Sequence, residues 1–349
     1  MAKGLTRRAA LGAIAAPALL GLHGTARADT RTLKISHQFP GSGPDGGDFR
    51  DRLCKKFAEG VEKRTEGALK FDIYPNSSLM KTFAQFDALK KGALDLSLYP
   101  TTYSGGEIPE LNITFMPAVV TSYEQAYRWK TAPIGKELTA ILENKGVKLI
   151  TWMWQSGGIA ARGKPVVKPG DVKGLKIRGG SREMDMMFKG AGATTSNMPS
   201  NEIYISMQTG AIDVAVTSSS SLISFKLEEL SKGLTSAGGR SFFFVLEPIL
   251  MSKAVFDTLP PDQQQAIMEV GQAIEPFGLE GSKADDQRLA DVYAKAGSEV
   301  VEMDAAALDD WKAVARDSAW KDFAARSANT AISSCQSVEM CRKYRARIE

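Results

Sequence analysis

Two hydrophobic rhythms alternate along this chain. Thr32-Leu-Lys-Ile-Ser-His37 has the two-residue period of a half-buried strand and runs into a Pro/Gly-rich loop from Pro40 to Gly47. Phe49, Leu53, Phe57 and Val61 then recur every four residues, which predicts one apolar face of a helix. Ala68 to Tyr74 predicts a second strand, with Leu69, Phe71 and Ile73 on one side. A helix bearing Phe83, Phe86 and Leu89 and a third strand from Leu94 to Tyr99 follow. Ile134, Leu138, Ile141 and Leu142 line another helix, and Val147 to Trp154 reads as a single strand. Leu175-Lys-Ile-Arg178 is a short strand stopped by Gly179 and Gly180. Helices carrying Met184, Met187 and Phe188, then Tyr204, Met207 and Gln208, lead to a strand from Ile212 to Thr217. Strand and helix in alternation predict an α/β fold of open sheets with helices on both faces.

Beyond Pro260 the pattern is helical. Leu259-Pro-Pro-Asp262 reads as a helix start, and Ile267, Val270, Ile274 and Phe277 continue an apolar stripe towards Leu289 and Tyr293. Pro276 should kink or end that helix locally. Asp304 is placed to cap a last helix bearing Leu308, Trp311 and Val314.

The N-terminus follows neither rhythm. Lys3, Arg7 and Arg8 precede a short apolar run from Ala9 to Leu22, and Ala26-Arg27-Ala28 has the small residues of a cleavage site. Residues 1–28 therefore read as a cleaved export signal, and the paired arginines of Thr6-Arg-Arg-Ala-Ala-Leu11 suggest the twin-arginine route to the periplasm. This changes the charge picture. Without the leader's four basic residues, the 44 Lys and Arg fall to 40 and face 40 acidic residues. A neutral mature chain offers no electrostatic case for nucleic acid or an anionic membrane surface.

The chemistry-bearing residues are few. Once the leader is removed, His37 at the end of the first strand is the one histidine, too few for a His/Cys metal cluster and enough for one triad at most. Cys335 and Cys341 lie six apart and form a disulfide if the compartment is oxidising, whereas Cys54 falls in a helix and reads as a buried small hydrophobe. Arg178 ends its strand where ligands sit in open α/β sheets, and its planar fork suits a carboxylate; spacing alone serves a structural ion pair as well. Ser218 to Ser221 reads either as a loop or as the start of the helix bearing Leu222, Phe225 and Leu230. In the second case Thr217 and Ser218 become candidate contacts to an anion.

Several spaced segments together resemble a family: Tyr74-Pro-Asn-Ser-Ser-Leu79, Leu89-Lys-Lys-Gly-Ala-Leu-Asp95, Asp171-Val-Lys-Gly-Leu-Lys-Ile-Arg178, Glu202 to Asp213, and Leu259-Pro-Pro-Asp-Gln-Gln265. The mature chain resembles the DctP-type periplasmic solute-binding proteins of TRAP transporters over nearly its whole length. The resemblance implies a two-lobed periplasmic binding protein fold, type II-like, with a long helix spanning both lobes. Residues 29–154 with 243–282 would form one lobe, and 155–242 with 283–349 the other. It also implies a monomer that grips a small organic acid through Arg178 and passes it to TRAP membrane permease subunits, without a cofactor and without enzymatic activity.

The chain departs from the family where a second arginine is usual: Gln155 to Ala160 holds none, and Arg162 is offset. A ligand with one carboxylate and an apolar, preferably aromatic, body is the expectation, because Trp154, Tyr99 and Phe243 fall in segments that border the family's cleft. Three alternatives stay open: a C4-dicarboxylate receptor, an exported cofactor-dependent oxidoreductase, and a sensor or scaffold using the same fold. The absence of a phosphate-binding glycine loop and of metal-ligand spacing speaks against the oxidoreductase.

Overall fold

The computed structural model describes Met1 and residues 30–43, 46–236 and 241–327. The leader, Cys335 and Cys341 lie outside them. Strands β1 (Arg31–His37), β2 (Leu69–Tyr74), β3 (Leu96–Leu98) and β4 (Val147–Leu149) come from the first half of the chain. They are followed by β5 (Trp154–Ala161), β6 (Lys176–Arg178), β7 (Thr194–Thr195) and β8 (Val214–Ser218). The last four are β9 (Gly233–Ser236), β10 (Phe244–Leu246), β11 (Ile249–Ser252) and β12 (Glu299–Glu302).

They form two sheets. The first runs β2-β1-β3-β11-β4, and the second β12-β9-β5-β8-β6-β7, with β10 paired to β5. β1 is parallel to β2 and β3, and β6 is parallel to β7 and β8. β5 and β11 run antiparallel to their neighbours, so both sheets are mixed. Each sheet is packed by apolar clusters. Phe49, Leu53, Phe57 and Val61 cover β1 and β11 from the helix Phe49–Arg64, as the four-residue spacing predicts. Burying each such side chain contributes roughly 1.5–3 kcal/mol. Met184, Met187 and Phe188 do the same for the second sheet with Trp311. Cys54 is a buried free thiol in the first of these clusters, and burial raises its pKa well above the usual thiol value.

The stretch Val147 to Trp154 is two strands and not one. β4 pairs with β11 in the first sheet, whereas Trp154 opens β5 in the second. Between them the chain crosses from sheet to sheet, with Ile150 N donating to Ile249 O at 2.9 Å and Glu247 N donating to Met153 O at 2.8 Å. The crossing is buried, so it is as apolar as a strand interior, and the run carries no mark of the break. The return crossing lies between β10 and β11. β10, in a segment assigned by resemblance to the first lobe, is paired with the second sheet.

The helical region divides at Ile274 into Pro261–Ala273 and Glu275–Lys295, with Pro276 in the first turn of the second helix. Proline is tolerated there because that N–H has no helical partner. Three large side chains moor the long helix, and Ser282 Oγ adds a bond to Trp154 O at 3.3 Å. Glu275 accepts from Trp152 N at 2.9 Å and pairs with Lys130 at 2.6 Å. Asp286 Oδ2 accepts from the Tyr123 hydroxyl and from Ser156 Oγ, each at 2.6 Å. The Tyr293 hydroxyl donates to Leu222 O at 3.3 Å. Asp304 caps the helix Ala305–Ala315 by accepting from Ala307 N at 2.7 Å.

Candidate functional site

Strands β1, β3 and β6 direct their C-terminal ends to one place, where four polar residues meet. Gln38 follows β1, Tyr103 lies on the turn Thr101–Ser104 after β3, Arg178 ends β6, and Ser200 opens a short turn after β7. The Tyr103 hydroxyl is their common point. Arg178 Nη2 donates to it at 3.0 Å, Ser200 N at 3.0 Å and Gln38 Nε2 at 3.4 Å. Phe83 and Tyr99 meet the Tyr103 ring edge-on and hold its direction. Gln38 and Tyr103 come from the first sheet and Arg178 and Ser200 from the second, so the contact joins the two sheets.

Arg178 is 1% exposed. Its other donors go to backbone carbonyls: Nε to Met198 O at 3.0 Å and Nη1 to Val216 O at 2.7 Å. All three partners are neutral. Gly180 makes the arrangement possible, because its φ is +92° and a Cβ there would lie 2.5 Å from Arg178 Nη1. Phe115, 2.9 Å from that same Cβ position, packs edge-on against Phe243 and gives the neighbourhood an apolar wall. Burial pushes Asp185 up to about 6 against the opposing attraction of Arg178. A cleft of about 390 Å³ opens beside Tyr103, lined by residues including Gly180, Ser181, Asp185 and the two cations Arg182 and Lys189.

A second buried arginine escaped the sequence reading. Arg50, fully buried, lies with its guanidinium carbon 3.6 Å from the centre of the Phe39 ring. It forms a two-pronged pair with Asp48 (2.9 and 2.7 Å), reaches Glu247 at 3.3 Å, and donates to Ser218, Ser221 and Ser224. Burial pushes the Glu247 carboxyl up to about 7 although Arg50 draws it down. Arg50 is therefore bonded directly to carboxylates, whereas Arg178 bonds only to neutral groups and attracts Asp185 and Glu247 without a hydrogen bond to either. The signal for Arg50 was available: an arginine on the apolar side of a helix, next to its Asp48 cap.

The remaining sequence candidates separate. Ser218 caps the helix Ser219–Ser224, accepting from Ser221 N at 3.3 Å, so the serine run is helical and not a loop. Thr217 is buried on β8, with its carbonyl against Gly157. Trp154 packs edge-on with Trp129, and Tyr99 packs on Phe86; both rings belong to one core cluster that takes in residues of both sheets. Arg162 is at the surface, 3.8 Å from Asp213, and Arg182 pairs with Asp322 and Glu183. His37 Nε2 lies 3.1 Å from Asp51 Oδ1. Burial would raise the Asp51 carboxyl, but hydrogen bonds from His37, Lys55 and Ser42 outweigh it and hold it well below the usual carboxylate range. Ser42 donates to Asp51 at 2.6 Å and not to the imidazole, so this is no nucleophile–base pair. Among the described residues no group of three or more His, Cys, Asp or Glu could hold a metal ion, and no helix is long and apolar enough to cross a membrane.

Comparison with known proteins extends the geometry. Residues 48–327 match the family model described as DctP, bacterial extracellular solute-binding protein, family 7. A solute-binding protein of Albidiferax ferrireducens is 58% identical over 304 residues, 87% of this chain and 90% of the relative. The 2,3-diketo-L-gulonate-binding periplasmic protein of Escherichia coli is 30% identical over 75% of this chain and 80% of its own length. Among solved structures, a TRAP periplasmic solute-binding protein from Rhodoferax ferrireducens with bound malonate superposes with a TM-score of 0.86 at 55% identity, over 90% of this chain and 98% of the other.

Proposed function

This chain belongs to the bacterial extracellular solute-binding proteins of family 7, the two-lobed TRAP periplasmic receptors, and we propose that it captures a small organic carboxylate on Arg178 and delivers it to the membrane permease of a TRAP transporter. The family consists of transport receptors and not enzymes. The observation that carries the proposal is the charge deficit at Arg178: a buried guanidinium whose hydrogen-bond partners are all neutral, at the junction of the two sheets. A buried cation with no carboxylate in direct contact is costly, and a ligand carboxylate would lower that cost on binding more than Asp185 and Glu247 do from further away.

One carboxylate is the number this arrangement favours. Arg50 already faces Asp48 and Glu247, Arg162 lies near Asp213, and Arg182, which lines the cleft with Lys189, is paired with Asp322 and the buried Glu183. Phe115 and Phe243 offer the rest of the ligand an apolar wall, while Trp154 and Tyr99 are engaged in the core. The proposed ligand is thus a small monocarboxylate with an apolar body. The malonate bound by the relative favours a second reading, a short dicarboxylate. We place the lobe boundaries at the two crossings, near Met153 and Glu247, and assign export to the twin-arginine leader. A thermal-shift screen of mono- and dicarboxylic acids, followed by calorimetry, tests the proposal. Stabilisation by acids but not by their amides is expected, and equal stabilisation by both would refute it.

A further inference from the structure

Two hydrogen-bonding atoms beside Arg178 have no partner: Gln38 Oε1 and Ser200 Oγ. Gln38 is 1% exposed and Ser200 2%, so water does not replace the missing bonds at the protein surface. A buried polar group without a partner is costly, and native proteins leave few of them. Both residues touch the Tyr103 oxygen through their other polar groups, and Arg178 donates to the same atom. The unpaired atoms therefore lie within a few bond lengths of the guanidinium that would hold a carboxylate.

We propose that Gln38 and Ser200 determine specificity by reading a hydroxyl on the carbon next to the ligand carboxylate, which makes the ligand a small 2-hydroxy acid. This rests on the assignment of the carboxylate to Arg178. A hydroxyl donates one hydrogen bond and accepts others, so it can donate to Gln38 Oε1 while accepting from Ser200 Oγ. A half-turn of the Gln38 amide exchanges its oxygen and nitrogen and again leaves one end unpaired, and a hydroxyl satisfies either end. An unsubstituted acid satisfies neither residue. A 2-oxo acid can accept from Ser200 but has no proton for Gln38 Oε1, and it matches Gln38 only when the amide nitrogen is the free end. A site built around a ligand hydroxyl rejects the analogue lacking it far more strongly than an apolar pocket rejects a missing methylene.

Calorimetry on the wild-type protein with 2-hydroxybutyrate, 2-oxobutyrate and butyrate is the test, because these acids share one carbon skeleton. The expected result is that 2-hydroxybutyrate binds at least thirtyfold more tightly than butyrate, with 2-oxobutyrate between them. Gln38→Met and Ser200→Ala should each reduce that ratio to within about threefold by weakening the hydroxy acid alone. Equal binding of 2-hydroxybutyrate and butyrate, or an unchanged ratio in both variants, overturns the proposal. So does failure of all three acids to bind. In that event malonate binding that disappears in Arg178→Ala would show that the carboxylate assignment stands without it.

Discussion

Replacing Arg178 with methionine should separate the binding function from the stability of the unliganded fold. Methionine keeps much of the length and removes the charge and all donors. In the liganded state a carboxylate would then be buried without a partner, at a cost of about 2–5 kcal/mol, or roughly thirty- to several-thousand-fold in affinity. In the unliganded state two opposing terms are of similar size. Three charge-assisted hydrogen bonds disappear, to Met198 O, Val216 O and the Tyr103 hydroxyl, each contributing about 1.5–3 kcal/mol. Against this, a guanidinium 1% exposed and bonded to no carboxylate is no longer buried, which recovers several kcal/mol. The net change in unfolding free energy should stay within about 2 kcal/mol. Calorimetry with malonate gives the first quantity and urea denaturation without ligand the second. A loss of affinity below tenfold would refute the assignment of the carboxylate. An unliganded loss above about 4 kcal/mol would refute the charge deficit itself, since the three bonds would then outweigh the buried charge. Lysine should restore binding only in part, because a point charge lacks the planar fork.

Other expectations follow from the same coordinates. Glu247 is pushed up to about 7 and Asp185 up to about 6, both above their unfolded values. The folded state thus holds protons that the unfolded state releases, and the associated stability is full below about pH 4 and is lost as pH rises through about 7. Urea midpoints should fall over that window and flatten in Glu247→Gln; a midpoint that rises instead would contradict the shift. Asn201 bonds weakly to Thr82 and Ser77 across the sheets, at 3.4 and 3.5 Å. Asn201→Ala should favour an open form, with a larger radius of gyration by small-angle scattering that malonate reduces; identical profiles for variant and wild type would remove this latch. Gly157→Ala should cost more than about 2 kcal/mol, because its Cβ would lie 2.1 Å from Thr217 O and 2.6 Å from Phe243 Cζ. Near-wild-type melting would show that β5 and β8 can separate to admit it. Alkylation in denaturant without reduction should label Cys54 alone, with Cys335 and Cys341 bridged, and three labelled thiols would exclude the bridge.

The elements legible in the sequence were those with one buried face. The helix Phe49–Arg64 and the strands β1 and β2 have an exposed side, so apolar and polar positions alternate and the period shows. β10 and β11 are buried throughout, and a nearly uniform apolar run has no period to read, while β9, Gly233-Leu-Thr-Ser236, is buried but carries one large apolar residue. The same reason concealed the crossing at Ile150 to Met153. At the site, Arg178 could be found because a strand followed by two glycines fixes where its side chain begins. Gln38, Tyr103 and Ser200 could not, since each follows a different strand and only the arrangement of the two sheets brings them to one oxygen. Arg50 showed in the sequence only as an arginine on an apolar helix face near Asp48, because its other partners Glu247 and Ser221 lie far along the chain.

The three moorings of the long helix carry a consequence for how this chain can change. Glu275, Asp286 and Tyr293 are eleven and seven residues apart. At about 100° per residue these separations bring all three to within roughly 20° of one line along the helix. Inserting or deleting one residue between any two of them would turn the far mooring by about 100° and shift it by about 1.5 Å. The bonds beyond the change would be lost while those before it stayed. Point substitutions around Tyr103 can retune the ligand without disturbing this phase, and surface loops can lengthen freely. The interval from 275 to 293 must keep its length, so divergence within it is confined to exchange of one residue for another.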